Sequence, residues 1–243
     1  MMQALFSAIR FLTILPAPGN PVSPGRAAAF FPLVGAALGL AGAGVFLLAG
    51  VVLPLSLAAL TTVAFWTAVS GVLHEDGLAD VADAVRAGRP QAQILSILKD
   101  SRIGTFGAVA LILSVLARWQ ALESLATDRV VEALVASQAV PRAAMVGMAW
   151  ISRPTGEGLG HSLLSTLGTP AALFAMAQGA AAALLCGWRP GLAILLGSLV
   201  IVRVARAWFY RRIGGVNGDC LGFTEQLSEV FVLVLFTCAR CAW

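Results

Sequence analysis

Apolar runs long enough to cross about 30 Å of hydrocarbon recur along this chain at residues 27–53, 54–73, 105–122, 130–151, 170–188, 191–210 and 228–243. In lipid, every backbone N–H and C=O must find its partner inside the protein, and a helix meets that demand within one segment. Only 12% of the residues are charged and 59% are hydrophobic, against about a quarter charged in ordinary soluble proteins. The expected fold is an all-α polytopic integral membrane protein. It is a bundle of six to seven transmembrane helices, eight at most, forming one membrane-embedded unit over residues 1–243. The fourth run contains Pro141 and Arg142 and the last reaches Arg240, so either is open to being a partial or interfacial helix. Residues 2–16 alternate apolar and polar side chains without a charged extreme N-terminus, which reads as a retained interfacial helix rather than a signal peptide.

Basic residues set the expected orientation. The 51–56 link has no Lys or Arg, whereas the 74–102 link carries Arg86, Arg89, Lys99 and Arg102, and the end of the sixth run carries Arg203, Arg206, Arg211 and Arg212. Both basic links are expected on the cytoplasmic face of the cell inner membrane, where they would form the working surface. The net charge of +4 is then explained by orientation and by anionic ligands, and calls for no nucleic acid. The four cysteines, Cys186, Cys220, Cys238 and Cys241, read as small packing residues.

Charge is concentrated in HEDGLADVADAVRAGRPQAQILSILKDSRIGTFG, residues 74–107, which holds five of the twelve carboxylates: Glu75, Asp76, Asp80, Asp83 and Asp100. If 74–84 is helical, Asp76, Asp80 and Asp83 stand at i, i+4 and i+7 and project from one face. Hard oxygen ligands so spaced suit Mg²⁺, which keeps positions open for substrate phosphates. An acidic, water-facing helix is the plainer alternative. Against it, Arg86, Arg89, Lys99 and Arg102 follow at once, and acids for a metal beside bases for phosphate oxygens are what phosphoryl transfer requires. Lys99 and Arg102, with Asp100 and Ser101 between them, are expected to clamp phosphate; the alternative is a pair of anchors reaching lipid headgroups. His74 is open to being a base, a partner of an acid or an interfacial residue. Arg142, inside an apolar run, points to contact with an anion or a buried acid.

A second polar segment, RRIGGVNGDCLGFTEQLSE, spaces Asn217, Asp219, Glu225 and Glu229 with Gly214, Gly215, Gly218 and Gly222. Glycines at this density let the backbone approach an anion closely, and Asp219 offers another metal ligand. A flexible connector with solvated acids is the alternative. The two polar segments together hold eight of the twelve carboxylates and are expected on one membrane side.

FLTILPAPG, FFPLVGAALGL, HEDGLADVADAV, LKDSRIGTFGAVALIL, GEGLG and GGVNGDCLG, spread over most of the chain, resemble the cobalamin synthase (adenosylcobinamide-GDP ribazoletransferase) family. The resemblance implies a Mg²⁺-dependent membrane transferase of the final, lower-ligand stage of vitamin B12 synthesis. It would join adenosylcobinamide-GDP to α-ribazole or its 5′-phosphate and release GMP. Carried over by position, the acidic motif falls on Asp76, Asp80 and Asp83, the basic motif on Lys99, Asp100 and Arg102, and the C-terminal motif on Gly215, Gly218 and Asp219. Two positions depart from the family pattern: Glu75, usually apolar, and Asn217, where Thr is expected.

The catalytic set expected on this reading is Asp76, Asp80, Asp83, Lys99 and Arg102, with Asp83 as proton acceptor. Asp76, Asp80, Asp83 and Asp219 would hold Mg²⁺. His74, Arg86, Arg89, Asp100, Ser101, Gly215, Gly218 and Asp219 would bind substrate. A homo-oligomer, or association with other enzymes of lower-ligand assembly, stays open. Two other classes compete. CDP-alcohol phosphotransferases share the kind of Asp spacing but carry Ala-Arg where this chain has Ala79-Asp80, and a transporter would place its charges within the membrane.

Overall fold

The structure, a computed structural model, describes residues 1–84, 89–100, 102–125 and 127–238, and among these it is helical without a β-strand. The chain enters through α1 (Met2–Leu12), which buries Ser7, Ala8 and Leu12. A short α2 (Pro24–Ala27) and a 3₁₀ turn, Ala28–Phe30, then lead into α3 (Phe31–Val52). There follow α4 (Leu55–Val69), α5 (Leu73–Ala84), α6 (Gln91–Ile97), α7 (Thr105–Glu123) and α8 (Val130–Trp150). The chain closes with α9 (Leu159–Thr166), α10 (Thr169–Leu185), α11 (Trp188–Ile213) and α12 (Gly218–Phe236).

Each expected apolar run is a helix, but fewer qualify as separate spans. Among the described residues, Pro24–Val52, Thr105–Glu123 and Trp188–Ile213 are each long and apolar enough to cross a membrane, and counting two bent helix pairs as one span each raises the number to five. With only 15 and 17 residues, α4 and α10 are too short at 1.5 Å per residue to cross 30 Å upright by themselves. The count stays below six because α8, with Glu132, Gln138 and Arg142, and α12, with three carboxylates, are not among the spans. The final run is also displaced. Its helix, α12, starts at Gly218 and ends at Phe236, and carries Asp219, Glu225 and Glu229. Among the cysteines, Cys186 and Cys220 are buried thiols as expected. Cys238 is instead disulfide-bonded, past the last turn of α12; Cys241 lies outside the described residues.

At the centre stands α8, buried along most of its length and packed against α3, α10, α11 and α12. Two local features then aim the polar segments. Between α4 and α5 the chain bends by 88° through Gly71 (φ 61°) and Val72 (φ 62°). A left-handed β-branched residue is costly, and Val72 is held there by its N–H donating to the Thr67 carbonyl at 3.0 Å. The bend takes α5 out of line with α4. The second feature is a glycine crossing of α5 and α12. A Cβ on Gly77 would meet the Asp219 carbonyl oxygen at 2.8 Å, and one on Gly222 would meet the His74 carbonyl oxygen at 3.2 Å. Only glycines allow backbones so near, and the approach sets the first turns of the two helices side by side.

Behind this crossing lies a buried ion network. Arg118 of α7 places Nη1 3.0 Å from Glu75 Oε1 and 3.5 Å from Glu229 Oε1, and Arg142 of α8 places Nη1 3.0 Å from Glu225 Oε1. Gln226 donates to Glu225 Oε2 at 3.2 Å and to Glu229 Oε2 at 3.3 Å, and accepts from the Ser114 hydroxyl at 3.0 Å. All these side chains are buried. Arg142 thus meets an acid, as its place in an apolar run required. Glu75, Glu225 and Glu229, expected with the exposed polar segments, are inside the bundle. On α5 and α12 these acids point into the bundle, where the arginines of α7 and α8 neutralise them.

Candidate active site

Where α5 and α12 cross, a cleft of about 360 Å³ opens, lined by His74, Asp76, Lys99, Glu157, Gly218 and Asp219 with an apolar wall that includes Phe11, Leu98 and Met145. Asp76 is in the first turn of α5 and Asp219 in the first turn of α12. The latter turn is fixed by Asn217, whose Oδ1 accepts from the Cys220 N–H at 3.0 Å while its Nδ2 donates to Asp219 Oδ2 at 2.8 Å. Asn217 therefore does by an amide what a hydroxyl would do at a helix N-cap. Lys99 reaches the cleft from the segment after α6.

The far wall comes from the link between α8 and α9. The Thr155 N–H donates to the Val216 carbonyl and the Val216 N–H to the Arg153 carbonyl, both at 2.9 Å, in an isolated bridge between Pro154 and Val216. Arg153 N–H also donates to the Tyr210 hydroxyl at 2.7 Å. These bonds bind the GEGLG loop to the glycine-rich segment.

The cleft acids repel one another. Burial, then the charges of Asp76, Asp219 and Asp83, push the Asp80 carboxyl up to about 7. Burial also raises Asp219, with Asp76 adding to the shift and the Asn217 hydrogen bond opposing it.

The structure brings some expected residues together and separates others. Asp76, Lys99, Gly218 and Asp219 share the cleft with His74, which is buried and has Nε2 3.8 Å from Glu225 Oε1. Asp80 stands half-buried behind them on α5. Asp83 is absent from the cleft lining: its Oδ2 accepts from the Gly104 N–H at 2.7 Å and its Oδ1 from the Gly107 N–H at 2.9 Å. It caps the start of α7, where free N–H groups need an acceptor. Arg102 does not join Lys99. The chain there is not helical, and Arg102 Nη2 lies 2.6 Å from Asp100 Oδ2 in an exposed pair, which holds the Asp100 carboxyl down at about 2. Arg89 donates to the carbonyls of Asp83 and Ala84 and closes the end of α5. Gly215 abuts the GEGLG link, where a Cβ would meet the Arg153 carbonyl oxygen at 2.6 Å. Arg86 and Ser101 lie outside the described residues.

Sequence reasoning missed Glu157 and Arg118. Arg118 carried the same signal as Arg142, an arginine within an apolar run. Glu157 stands in the GEGLG stretch, whose nearness to Asp76 no local pattern reveals.

The sequence model of the family described as cobalamin-5-phosphate synthase matches residues 4–237. The chain belongs to that family. A relative from Geotalea daltonii, named adenosylcobinamide-GDP ribazoletransferase, is 35% identical over 96% of this chain and 96% of its own length. Relatives of the same name from Bradyrhizobium diazoefficiens and Sinorhizobium medicae are 37% and 38% identical over 94% and 93% of this chain and 90% and 92% of theirs. No solved structure matches the chain. The matched residues include the bent α4–α5 pair, the glycine crossing and the GEGLG wall.

As to a metal, no three His, Cys, Asp or Glu side chains among the described residues are gathered tightly enough to hold an ion by themselves. Mg²⁺ ordinarily takes one or two carboxylates and completes its shell with water and substrate phosphates. Asp76 and Asp219, both oxygen donors on the wall of one cleft, fit that requirement.

Proposed function

We propose that this chain is an adenosylcobinamide-GDP ribazoletransferase acting in the cleft between α5 and α12. A ribose hydroxyl of α-ribazole, or of its 5′-phosphate, attacks the phosphate that carries cobinamide, and GMP departs. The observation that carries this reading is the meeting of Asp76, Asp219 and Lys99, from three separate sequence motifs, on one cleft in a chain related to enzymes of that name over nearly its full length.

Each cleft residue then has a task set by its chemistry. Lys99 offers a mobile cation to phosphate oxygens. The Asn217-capped start of α12 presents backbone N–H groups and the positive end of its dipole. Asp76 and Asp219 would hold Mg²⁺, with Asp80 behind them favouring a cation by its charge. When bound, the ion neutralises charge on the diphosphate. The apolar wall of Phe11, Leu98 and Met145 excludes water from one side of the reacting groups. Asp83 and Arg102 have no part at the reacting atoms in this reading, since one caps α7 and the other is paired with Asp100.

The cleft faces the cytoplasm of the inner membrane in this proposal, in keeping with the arginines Arg203, Arg206, Arg211 and Arg212 near the end of α11. Single cysteines introduced at surface positions of α6 and of the 153–158 loop should label from the cytoplasmic side alone.

Purified protein in nanodiscs, given adenosylcobinamide-GDP, α-ribazole and Mg²⁺, should release GMP and yield a corrinoid with a closed nucleotide loop. Release of CMP from a CDP-alcohol would favour the lipid-type phosphotransfer instead. Absence of any nucleotide release under both conditions would reject enzymatic transfer.

A further inference from the structure

The transfer needs a group to take the proton of the attacking hydroxyl, and most carboxylates near the cleft are committed elsewhere. Asp83 is bonded to the N–H groups of Gly104 and Gly107 and is absent from the cleft lining. Glu75, Glu225 and Glu229 are buried against Arg118 and Arg142. Asp219 accepts from Asn217 and, with Asp76, is assigned above to the cation. Glu157 is left. It lines the cleft from the link between α8 and α9, is exposed, and has no hydrogen bond or ion pair among the described residues. Its loop is nonetheless fixed, because the Thr155–Val216 and Val216–Arg153 hydrogen bonds tie it to the segment that leads into Asp219.

We propose that Glu157 is the proton acceptor of the transfer, an inference that rests on the ribazoletransferase reading. The hydroxyl O–H bond breaks as its oxygen forms a bond to the phosphorus bearing cobinamide. The P–O bond to the GMP phosphate breaks, and GMP leaves with that electron pair. The proton passes to a Glu157 carboxylate oxygen and from there to water at the mouth of the cleft, which the exposure of Glu157 allows. Glu157 comes to the cleft from a different chain segment than Asp76 and Asp219, so its carboxylate is not among those assigned to the cation.

The test is GMP release by the full-length protein in nanodiscs. Wild-type release establishes the underlying reaction, and only then do the variants bear on Glu157. Glu157→Gln should lower kcat by about 10²–10⁴-fold, the range typical of a general base, with KM for adenosylcobinamide-GDP and the Mg²⁺ requirement near wild type. Glu157→Ala should recover turnover as formate is added, because formate can occupy the vacated space and accept the proton. The same titration should do nothing for Lys99→Ala. Rescue by formate is a response that a merely structural glutamate would not produce. A Glu157→Gln kcat within threefold of wild type, a failure of formate to stimulate Glu157→Ala, or a large rise in the Mg²⁺ requirement would each overturn the assignment. The last would make Glu157 a cation ligand.

Discussion

Two groups of acids ride on the same pair of helices and have opposite surroundings. Glu75 and Asp76 are neighbours on α5, and Asp219 and Glu225 are less than two turns apart on α12. Yet Glu75, Glu225 and Glu229 are buried against Arg118 and Arg142, whereas Asp76 and Asp219 line an open cleft with Lys99 and Glu157. The inner group has its counter-charges built into α7 and α8. The outer group has no such built-in arginines, and the Asp80 carboxyl beside it is pushed up to about 7, first by burial and then by the charges of Asp76, Asp219 and Asp83. Charge that the protein has already neutralised holds helices in place, and charge left open is available to a ligand. The first kind should therefore respond to substitution through stability, and the second through activity.

The largest effect is expected inside. Arg118→Ala would leave Glu75 and Glu229 without their cation in the bundle, and breaking a buried pair costs about 3–5 kcal/mol. Folded yield and thermal midpoint in detergent should fall sharply. Arg142→Met combined with Glu225→Leu removes both partners of a pair and should destabilise less than Arg142→Met alone. If the single and double variants were equally unstable, the pairing would not be what matters.

Next come the cleft acids. Asp76→Asn and Asp219→Asn should each reduce kcat by about 10²–10³-fold, or about 2.7–4 kcal/mol of barrier, with thermal midpoints in the absence of Mg²⁺ at or above wild type, since a repelling charge has been removed. Steady-state GMP release with parallel melting curves reads both. A fall in stability matching that of Arg118→Ala would erase the distinction between the two groups.

Gly77→Ala lies on the border between the two regions and should affect both. Its Cβ would stand 2.8 Å from the Asp219 carbonyl oxygen, and overpacking of this kind costs about 1–3 kcal/mol. Because the strain falls on the residue that bears a cleft carboxylate, stability and kcat should decline together. A change in stability with kcat untouched would mean that the spacing of α5 and α12 is not critical for turnover.

The smallest effect is in pH dependence without Mg²⁺. The folded-state value of Asp80 is raised from 3.8 to about 7, so the protonated form favours the fold. That contribution is complete below the unfolded value and is lost as pH rises through about 7. Melting temperature should therefore decline modestly from acid to neutral pH, and Asp80→Asn should flatten the decline. Mg²⁺ at neutral pH should restore stability to wild type, and restore less to Asp76→Asn.

Much of this was readable from the chain alone. The apolar runs foretold helices because the transfer of side chains and backbone into lipid is a local property of a segment. The i, i+4, i+7 spacing of Asp76, Asp80 and Asp83 did place them on one helix, and an arginine in an apolar run did meet an acid, because a lone buried charge is prohibitively costly. What the spacing could not tell was which neighbour each acid would find. Asp83 shares a face with Asp76 but caps α7, and Glu75, adjacent to Asp76, turns inward to Arg118. Glu157 joins the cleft only because a bridge at Val216 ties its loop beside α12. Those outcomes depend on how closely Gly77 and Gly222 let two helices approach and on where other helices place their arginines. Such contacts join residues far apart in sequence, so local composition and periodicity carry no trace of them, and packing alone decides which carboxylates are neutralised and which stay free to bind.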